Sequence, residues 1–318
     1  MEAYILEQNG GVENLKKTTI GTPVPKAGEV LIKTRAIGIN PIDVQVRASK
    51  DMLGMITGGH LPDRVIPGWD VAGTIEQTGD GVTAFNTGDE VYGLLNMPGL
   101  GSTYSNYVIA NIDQIALKPE NLDFTAAGAT PMAALTAWQA VVTLANIRKG
   151  EKVLIHAASG GVGHFAVQFA KVRGAYVIGT ASAKNEAFVR SLGVDEFLDY
   201  TAGSFEEKVN DLDVVIDTIN SVEHIIRSIS VIKRGGKLIY LQPHFADALS
   251  SKLEETGIKG FGVFVNSSAP ILNEISTLIK AGKVTPQITK VFSFDQLPEA
   301  QTMMESGRAV GKIAVEIQ

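Results

Sequence analysis

The sequence predicts an α/β protein with two parts, a β-rich domain and a doubly wound domain with a parallel six-stranded sheet. Up to about residue 120, short apolar runs recur between Gly- and Asp-rich turns, and no long helix separates them. This spacing favours a small barrel or sandwich. From about residue 122, strand-like and helix-like segments alternate. That rhythm is typical of a doubly wound sheet.

Composition narrows the class of protein. The chain has 318 residues, of which 45% are hydrophobic and 19% charged, and its net charge is −6. The length favours two domains, and the negative charge argues against nucleic acid as a partner. No apolar run approaches the ~20 residues of a membrane span. The chain has no cysteine, which excludes disulfides and thiolate ligands. Because the sequence also starts with an acidic, strand-like segment, we expect a cytoplasmic protein.

The β-rich part is predicted from short apolar runs that end at turn residues. Its strands are expected at Glu29–Thr34, Asp70–Ile75, Glu90–Leu95 and Ser105–Ile109. The segment Ala48–Asp63 shows no regular pattern, and we expect it to form a loop that lines a pocket.

The second part begins with an alanine-rich helical region, Thr125–Asn146, which is broken at Pro131. Six strands follow, with helices between them such as Lys184–Leu192 and Val222–Ile232. The strands are expected at 152–156, 175–180, 196–199, 213–217, 237–241 and 258–265.

The C-terminal segment returns to the character of the first part. It carries a predicted helix at Ile271–Ala281 and strands at Gln287–Val291 and Lys312–Glu316. The β-rich domain is therefore expected to comprise residues 1–122 and 268–318, and the doubly wound domain residues 123–267.

A glycine-rich turn carries the strongest functional signal. The apolar strand Val153–His156 is followed by Ala158-Ser159-Gly160-Gly161-Val162-Gly163 and then by an amphipathic helix. Glycines allow a tight turn and close approach of a phosphate, and the helix N-terminus offers free N–H groups to the anion. The context predicts a nicotinamide- or flavin-type dinucleotide, bound by Ser159, Gly160, Gly161, Val162 and Gly163. A tight turn without a ligand is the alternative.

The end of the next strand indicates which dinucleotide. NAD-binding versions place an acid there for the ribose 2′-hydroxyl. This chain has Thr180, Ser182 and Lys184, and no carboxylate before Glu186. Hydroxyls and a lysine suit a 2′-phosphate, so the sequence favours NADPH. Alternatively, Ser182 is a helix cap and Lys184 a solvated charge.

Motifs along the whole chain then point to a family. The sequence resembles the medium-chain dehydrogenase/reductase superfamily, and within it the zinc-free quinone oxidoreductase branch related to zeta-crystallin. The resemblance implies a GroES-like substrate domain, a Rossmann NADP-binding domain and a cleft between them. The matching segments are Gly38–Asp43, Pro67–Gly73, Phe85–Val91, Ala134–Trp138, His156–Gly163, Gln168–Lys171, Ile178–Ser182 and Gly311–Ile313.

The sequence departs from zinc-dependent members of the superfamily. Asn40 stands near their cysteine ligand, and Trp69 replaces their histidine ligand. A zinc site needs at least three suitable ligands. The histidines at 60, 156, 164, 224 and 244 are scattered along the sequence, and His156 is favoured as a core or turn residue. We therefore expect no metal.

Without a metal, quinones and α,β-unsaturated carbonyls are easier hydride acceptors than simple ketones, because their developing charge delocalises. The resemblance implies the same substrates. The sequence thus predicts an NADPH-dependent quinone or enone oxidoreductase. The alternative is an NADPH-binding protein of low turnover that acts as a sensor or structural protein.

Three residues are candidates around the substrate. Asn40 is the catalytic candidate, because its amide can donate to the substrate oxygen or to the nicotinamide ribose; the alternative is a turn residue before Pro41. Asp43 is assigned to the substrate pocket, although a helix-capping role is favoured. Trp69 is assigned to the same pocket, where it could stack on a flat quinone, with core packing as the alternative.

Three further residues are expected near the cofactor. The resemblance implies that Thr136 lies near the nicotinamide and that Tyr200 lies beside the 2′-phosphate; the alternative for Thr136 is a helix-interior threonine bonded to its own backbone. Phe264 follows the last strand of the parallel sheet, where open α/β sheets bind ligands, so its backbone is expected near the nicotinamide amide. The apolar strand Ile258–Val265 is expected at a sheet edge, where unpaired strands invite pairing, so a homodimer is expected.

Overall fold

The structure of the protein is a computed structural model that describes residues 1–59 and 64–318. No helix in these residues is both long and apolar enough to cross a membrane. Its strands, in chain order, are β1 (Glu2–Leu6), β2 (Leu15–Thr19), β3 (Glu29–Ile39), β4 (Asp70–Thr78), β5 (Glu90–Leu94), β6 (Tyr107–Asn111), β7 (Ile115–Leu117), β8 (Lys152–Ile155), β9 (Tyr176–Ala181), β10 (Glu196–Asp199), β11 (Leu212–Asp217), β12 (Ile232–Tyr240), β13 (Lys259–Gly262), β14 (Ile288–Ser293) and β15 (Lys312–Glu316).

The helices lie between these strands along the chain. They are α1 (Pro41–Ala48), α2 (Lys50–Thr57), α3 (Phe124–Ala129), α4 (Pro131–Trp138), α5 (Gly161–Val172), α6 (Glu186–Ser191), α7 (Val222–Ile229), α8 (Ala246–Thr256), α9 (Ala269–Lys280) and α10 (Leu297–Glu305). A π-helical stretch, Gln139–Leu144, continues α4.

The chain forms two compact units. The first unit comprises residues 1–135 and 265–318, and the second comprises residues 136–264. The first unit therefore receives chain from both ends of the sequence.

The first unit is organised around the long strand β3. Its first half pairs with β6, Glu29 opposite Asn111, and its second half pairs with β15, Ile39 opposite Ile313. Register shifts in the β3–β4 pairing mark the bends of β3 between these partners. The sheet has the order β14-β15-β3-β4-β5-β7, with β6 off this path on β3. The predicted strand Glu29–Thr34 ends too early. The observed strand continues to Ile39, because β3 exchanges its partner β6 for β15 without ending.

The second unit contains the predicted parallel sheet. Its six strands have the order β10-β9-β8-β11-β12-β13, and every neighbouring pair is parallel. Buried aliphatic residues such as Leu154, Val215 and Leu238 form the core on one face. The order reverses beside β8, so the predicted doubly wound fold is confirmed and the switch point lies at the glycine turn.

Several other predicted elements differ from the observed ones, such as the strand predicted at 237–241, which is β12 and begins at Ile232. The predicted helix 222–232 ends at Ile229, because Ile232 already pairs with Leu212 of β11 at the start of β12. The predicted loop Ala48–Asp63 contains the helix α2, which Ser49 caps by accepting from the N–H of Met52 at 3.3 Å. Residues 60–63 of that predicted loop lie outside the described residues. Strand β13 is shorter than its prediction at both ends, and it is an edge strand.

Candidate functional site

The glycine turn joins β8 to α5 at the carboxyl edge of the parallel sheet. Ala157, the second residue after β8, has a left-handed φ of 48°. Its carbonyl accepts from the N–H of Gly160 at 2.8 Å, while the N–H of Ala158 donates to the carbonyl of Thr180 at 2.9 Å. These bonds fold the turn back onto β9 before the helix begins.

The two glycines that flank the turn, Gly160 and Gly163, differ in how much room they leave for a side chain. A Cβ at Gly163 would lie 2.1 Å from the carbonyl oxygen of Ala157 and 2.9 Å from Cα of Ala158, and both are backbone atoms. A Cβ at Gly160 would meet the same oxygen at 3.2 Å, a much milder contact. Gly163 therefore lets α5 approach the turn, and no larger residue fits there without movement of the backbone.

The N-terminus of α5 offers an anion site. The N-cap residue is Gly160, with φ −82° and ψ 179°, and no side chain of residues 1–59 or 64–318 caps the helix. The first N–H groups of a helix have no partner within it, so those of Gly161, Val162 and Gly163 remain for a ligand. Since α5 is 12 residues long, its dipole adds favourable charge for a phosphate. The turn thus fits the pyrophosphate of a dinucleotide.

Other predicted cofactor residues share the edge of the sheet with this turn. Ser182, Lys184, Tyr200 and Phe264 all follow the carboxyl ends of parallel strands, β9, β10 and β13. Lys184 is exposed, and Tyr200 and Phe264 retain 62% and 42% of their accessible surface. Thr136, at 8% exposure, is the first residue of the second unit and lies on α4. Their contacts with a cofactor stay predictions.

Asn185 is a residue that the sequence reasoning missed. Its Nδ2 donates to Oγ of Ser159 at 3.2 Å and to Oγ of Ser182 at 3.4 Å. One amide therefore ties the glycine turn to the segment after β9. An Asn three residues after a Ser is a common local pattern, so the sequence held little signal for this bridge.

The hydroxyl of Thr180 faces the turn rather than the solvent. Thr180 is 3% exposed, and its Oγ1 accepts from the N–H of Ala157 at 3.3 Å. The same oxygen lies 3.1 Å from Nδ1 of His156. The structure thus places Thr180 beneath the glycine turn, where its side chain shapes the backbone.

In the first unit, Asn40 sits at the N-cap of α1, between β3 and Pro41. Its backbone N–H donates to Oδ2 of Asp43 at 2.7 Å, and its Nδ2 donates to Oδ2 of Asp70 at 2.8 Å. Its Oδ1 accepts from Nζ of Lys312. Because an ammonium only donates and a carboxylate only accepts, this environment fixes which way the carboxamide points.

The Asn40 site is a buried cluster of charges. Asp70 and Lys312 are 0% and 2% exposed, and Oδ2 of Asp70 lies 3.7 Å from Nζ of Lys312. The other oxygen of Asp70 accepts from the N–H of Met132 at 2.7 Å. Burial raises the pKa of Asp70 and lowers that of Lys312, and each group opposes the shift of the other. Gly38 allows this packing, because a Cβ there would lie 2.7 Å from Oδ2 of Asp70.

Asp43 caps α1 from within the same cluster. It is completely buried, and burial raises its pKa to about 7, with the charge of Asp70 adding to the shift. Burial raises the pKa of Tyr104 well above its ordinary value, and the charge of Asp43 adds to this shift; the Tyr104 hydroxyl accepts from Nε2 of Gln301 at 3.1 Å. The capping contact is the one that the sequence favoured for Asp43; its place in a substrate pocket stays a prediction.

Trp69 is a core residue in the first unit. It is 0% exposed, and its indole N–H donates to the carbonyl of Gly99 at 2.8 Å. This contact holds the segment after β5 and corresponds to the core-packing alternative. Stacking of Trp69 on a substrate has no support in this burial and stays a prediction.

The second unit contains a group that sequence spacing did not reveal. The rings of His156 and His224 have centroids 4.5 Å apart, and one ligand atom from each lies within 4.8 Å of a carboxylate oxygen of Asp217. The histidines are scattered along the chain, but His156 follows β8, Asp217 ends the neighbouring strand β11, and His224 lies on α7, the helix that comes after β11. His156 is buried, as expected of a core residue.

The two units define a class of protein, an α/β fold that combines a β-rich unit with a doubly wound unit. The model of the alcohol dehydrogenase GroES-like domain matches residues 26–120, and that of the zinc-binding dehydrogenases matches residues 192–315. The chain belongs to the medium-chain dehydrogenase/reductase superfamily, an oxidoreductase family, and to its zinc-free quinone oxidoreductase-like branch.

Individual relatives cover nearly the whole chain. The 2-methylene-furan-3-one reductase of Solanum lycopersicum is 33% identical, with 99% of this chain and 79% of the relative covered. The chloroplastic NADPH-dependent alkenal/one oxidoreductase of Arabidopsis thaliana is 34% identical, with the same coverage. The structure of the quinone oxidoreductase from Coxiella burnetii matches with a TM-score of 0.93 at 31% identity, covering 100% of this chain and 99% of that one.

The description of one matching family, the zinc-binding dehydrogenases, implies zinc. The described residues of the first unit do not fit a catalytic zinc ion. Both oxygens of Asp70 are engaged by protein donors, and Trp69 offers no ligand atom. The carboxamide oxygen of Asn40 accepts from Lys312, and the chain has no cysteine. Three available ligands are therefore not brought together there.

Proposed function

We propose that the protein is an NADPH-dependent, zinc-independent oxidoreductase that transfers a hydride to a quinone or an α,β-unsaturated carbonyl. The observation that carries the proposal is the uncapped N-terminus of α5, reached through a turn that requires Gly163 and lies at the switch point of the sheet. The names of the relatives, which act on alkenals, enones and quinones, support the same reaction class.

The segment after β9 supports NADPH over NADH. Lys184 and Ser182 follow the strand, and the nearest following carboxylate, Glu186, accepts from Nε of Arg190 at 2.8 Å. Asp199 at the end of β10 pairs in register with Ala181, but its Oδ1 accepts from the N–H and the hydroxyl of Thr201. An exposed cation beside engaged carboxylates suits a 2′-phosphate.

Asn40 is the proposed substrate-facing donor. Its carboxamide is oriented by Lys312 and Asp70, and only one of its two N–H groups is needed for Asp70. The bound cofactor supplies the hydride, which adds to the C=C bond of an enone or to a quinone and leaves an enolate or hydroquinone anion. The remaining N–H of Asn40 stabilises that oxygen, and solvent supplies the proton.

The experiment is a turnover assay with the purified chain. NADPH is mixed with a panel of quinones and enones, and its consumption is followed at the absorbance band of the reduced nicotinamide. We expect turnover with at least one acceptor. Asn40→Ala should lower kcat about tenfold or more, because removal of one oriented donor to the developing oxyanion lowers kcat by at least this factor. The matched control is Asn86→Ala, since Asn86 is exposed on a turn.

Two results would contradict the proposal in different ways. Tight NADPH binding without consumption by any acceptor would favour the low-turnover sensor or structural protein. Activity that disappears with a chelator and returns with Zn²⁺ would contradict zinc independence.

The cytoplasmic location and the homodimer stay predictions. The absence of cysteine supports a reducing compartment, while some relatives are named mitochondrial or chloroplastic. The edge position of β13 supports pairing of two copies. Cell fractionation tests the location, and sedimentation at micromolar concentration tests the dimer, which a monomer would contradict.

A further inference from the structure

A line of five hydrogen-bonding side chains runs beneath the glycine turn in the second unit. Nδ1 of His156 lies 3.1 Å from Oγ1 of Thr180, and Nε2 of His156 lies 3.2 Å from Oγ of Ser228. Ser228 donates to Oδ2 of Asp217 at 2.7 Å, and Nδ1 of His224 lies 2.8 Å from the same oxygen. Thr180, His156, Asp217 and Ser228 are all buried, with at most 3% exposure.

The chemistry of the groups gives this line one direction. Asp217 as a carboxylate can only accept, so the hydroxyl proton of Ser228 points to it. Oγ of Ser228 must then accept from Nε2 of His156. Burial lowers the pKa of His156 to about 4, so the ring is neutral and its Nδ1 carries no proton. Nδ1 therefore accepts the hydroxyl proton of Thr180.

The far end of the line reaches the turn itself. With its own proton directed to His156, Thr180 presents lone pairs to the N–H of Ala157 at 3.3 Å. Ala157 holds a left-handed φ of 48° and supplies the carbonyl against which Gly160 and Gly163 pack. Thr218, directly after β11, adds a donor to the carbonyl of His156 at 3.0 Å. The side chains of Thr180 and Thr218 thus hold the backbone of His156 and Ala157, where the turn begins.

We propose that His156 is a positioning residue for the dinucleotide turn, because Asp217 and Ser228 select its Nε2–H tautomer, and the bare Nδ1 of that tautomer takes the hydroxyl proton of Thr180 and so orients an Oγ1 lone pair toward the N–H of Ala157. The consequence for binding rests on the proposed function, in which α5 receives a pyrophosphate. Asp217, which sets this direction, lies 11 residues before Ser228 at the end of β11, whereas His156 follows the neighbouring strand β8.

A metal ion is the competing explanation for two histidines and an aspartate within 4.8 Å. The ligand atoms already have protein partners: Nε2 of His156 bonds Ser228, and Nδ1 of His224 bonds Asp217. A metal on Nε2 of His156 requires that nitrogen to be unprotonated, whereas the hydrogen-bonded line requires it to be protonated. The two explanations therefore differ in one observable proton.

The variant Asp217→Asn should reverse the direction of the hydrogen bonds along this line. The N–H of Ile219 donates to Oδ1 of Asp217 at 2.9 Å and cannot become an acceptor, so the amide NH₂ of the asparagine faces Ser228 and His224. Ser228 then donates to Nε2 of His156, and the proton of His156 moves to Nδ1. Nδ1–H of His156 and the N–H of Ala157 then both point at Oγ1 of Thr180, so the hydroxyl must rotate its own proton out of the line, which misaligns the bond to Ala157.

The test uses the full chain with and without NADPH. Nitrogen NMR of the histidine rings should show the Nε2–H tautomer for His156 in the wild type and the Nδ1–H tautomer in Asp217→Asn. Amide exchange at Ala157 should accelerate, and the dissociation constant for NADPH should rise about tenfold, the effect of one misdirected hydrogen bond. The matched control is Asp247→Asn on the exposed surface of α8, which should change none of these.

A second pair of variants keeps the test decisive if Asp217→Asn does not fold. Thr180→Val removes the hydroxyl at constant shape and should accelerate Ala157 exchange and weaken NADPH, while Thr180→Ser should restore both. Ala157 exchange and NADPH affinity that are unchanged in Asp217→Asn and Thr180→Val would overturn the proposal, as would Zn²⁺ binding with Nε2 unprotonated. If the wild type binds no NADPH but Ala157 exchange responds as expected, the proposed function fails and the positioning of the turn stands.

Discussion

Nζ of Lys312 lies 3.7 Å from Oδ2 of Asp70, with both side chains buried and with Asn40 bonded to each of them. The last strand of the chain thereby holds the start of α1. Replacing Lys312 with Met should lower the free energy of unfolding by about 3–5 kcal/mol, because Asp70 would keep a buried charge without its partner. Urea denaturation measures the change.

The control for this substitution is Lys17→Met. Lys17 pairs with Asp295 at 2.8 Å, but Asp295 is 78% exposed at its side chain. An exposed pair contributes about 0–1 kcal/mol. Equal losses in the two variants would contradict the importance of the buried pair.

Asp43 should make stability depend on pH. Its pKa is about 7 when folded against an ordinary value of 3.8, so the folded chain retains a proton that the unfolded chain has released. The free energy of unfolding should therefore fall as pH rises from about 4 to about 7 and then level off. At ~1.4 kcal/mol per unit, we expect the wild type to lose about 2–3 kcal/mol relative to Asp43→Asn between pH 5 and pH 8.

Denaturation of both proteins across this pH range measures that difference. Asp113→Asn is the control, because Asp113 is exposed. A gap between wild type and Asp43→Asn that stays constant with pH would show that Asp43 does not titrate in this range.

Gly163→Ala should damage the turn, because its Cβ would lie 2.1 Å from a backbone oxygen that cannot move aside alone. We expect a loss of several kcal/mol in stability, or a folded chain that no longer binds NADPH. Calorimetry and NADPH titration distinguish these outcomes. Gly54→Ala in α2 is the matched control, since nothing lies within 4 Å of its added Cβ; it should stabilise the helix by about 0.5–1 kcal/mol.

Lys184→Ala should weaken NADPH binding about ten- to a hundredfold, the range for one charge-assisted hydrogen bond, and should change NADH binding little. The control is Lys149→Ala, because the exposed Lys149 precedes the amino end of β8, at the edge of the sheet opposite to the turn. Titration of all three proteins with both cofactors gives the comparison. Equal losses for NADPH and NADH would refute the assignment of Lys184 to the 2′-phosphate.

Local pattern predicted much of the fold. Strands β10 and β15 have the bounds that the sequence predicted, and the break at Pro131 separates α3 from α4. These elements follow from apolar periodicity and turn residues, which act over a few neighbours. The end of α7 was predicted wrongly, since the pairing of Ile232 with Leu212 ended the helix where periodicity would have continued it.

The sequence by itself determined the glycine turn, the parallel sheet and the family, because each depends on residues that are close in the chain or on motifs read in order. Only the tertiary structure decided the partners of the buried polar groups. Asn40 met Asp70 and Lys312, and His156 met Asp217 and His224. Burial makes an unpaired polar group costly, but strand order decides which distant residue becomes its partner, and no local pattern carries that information.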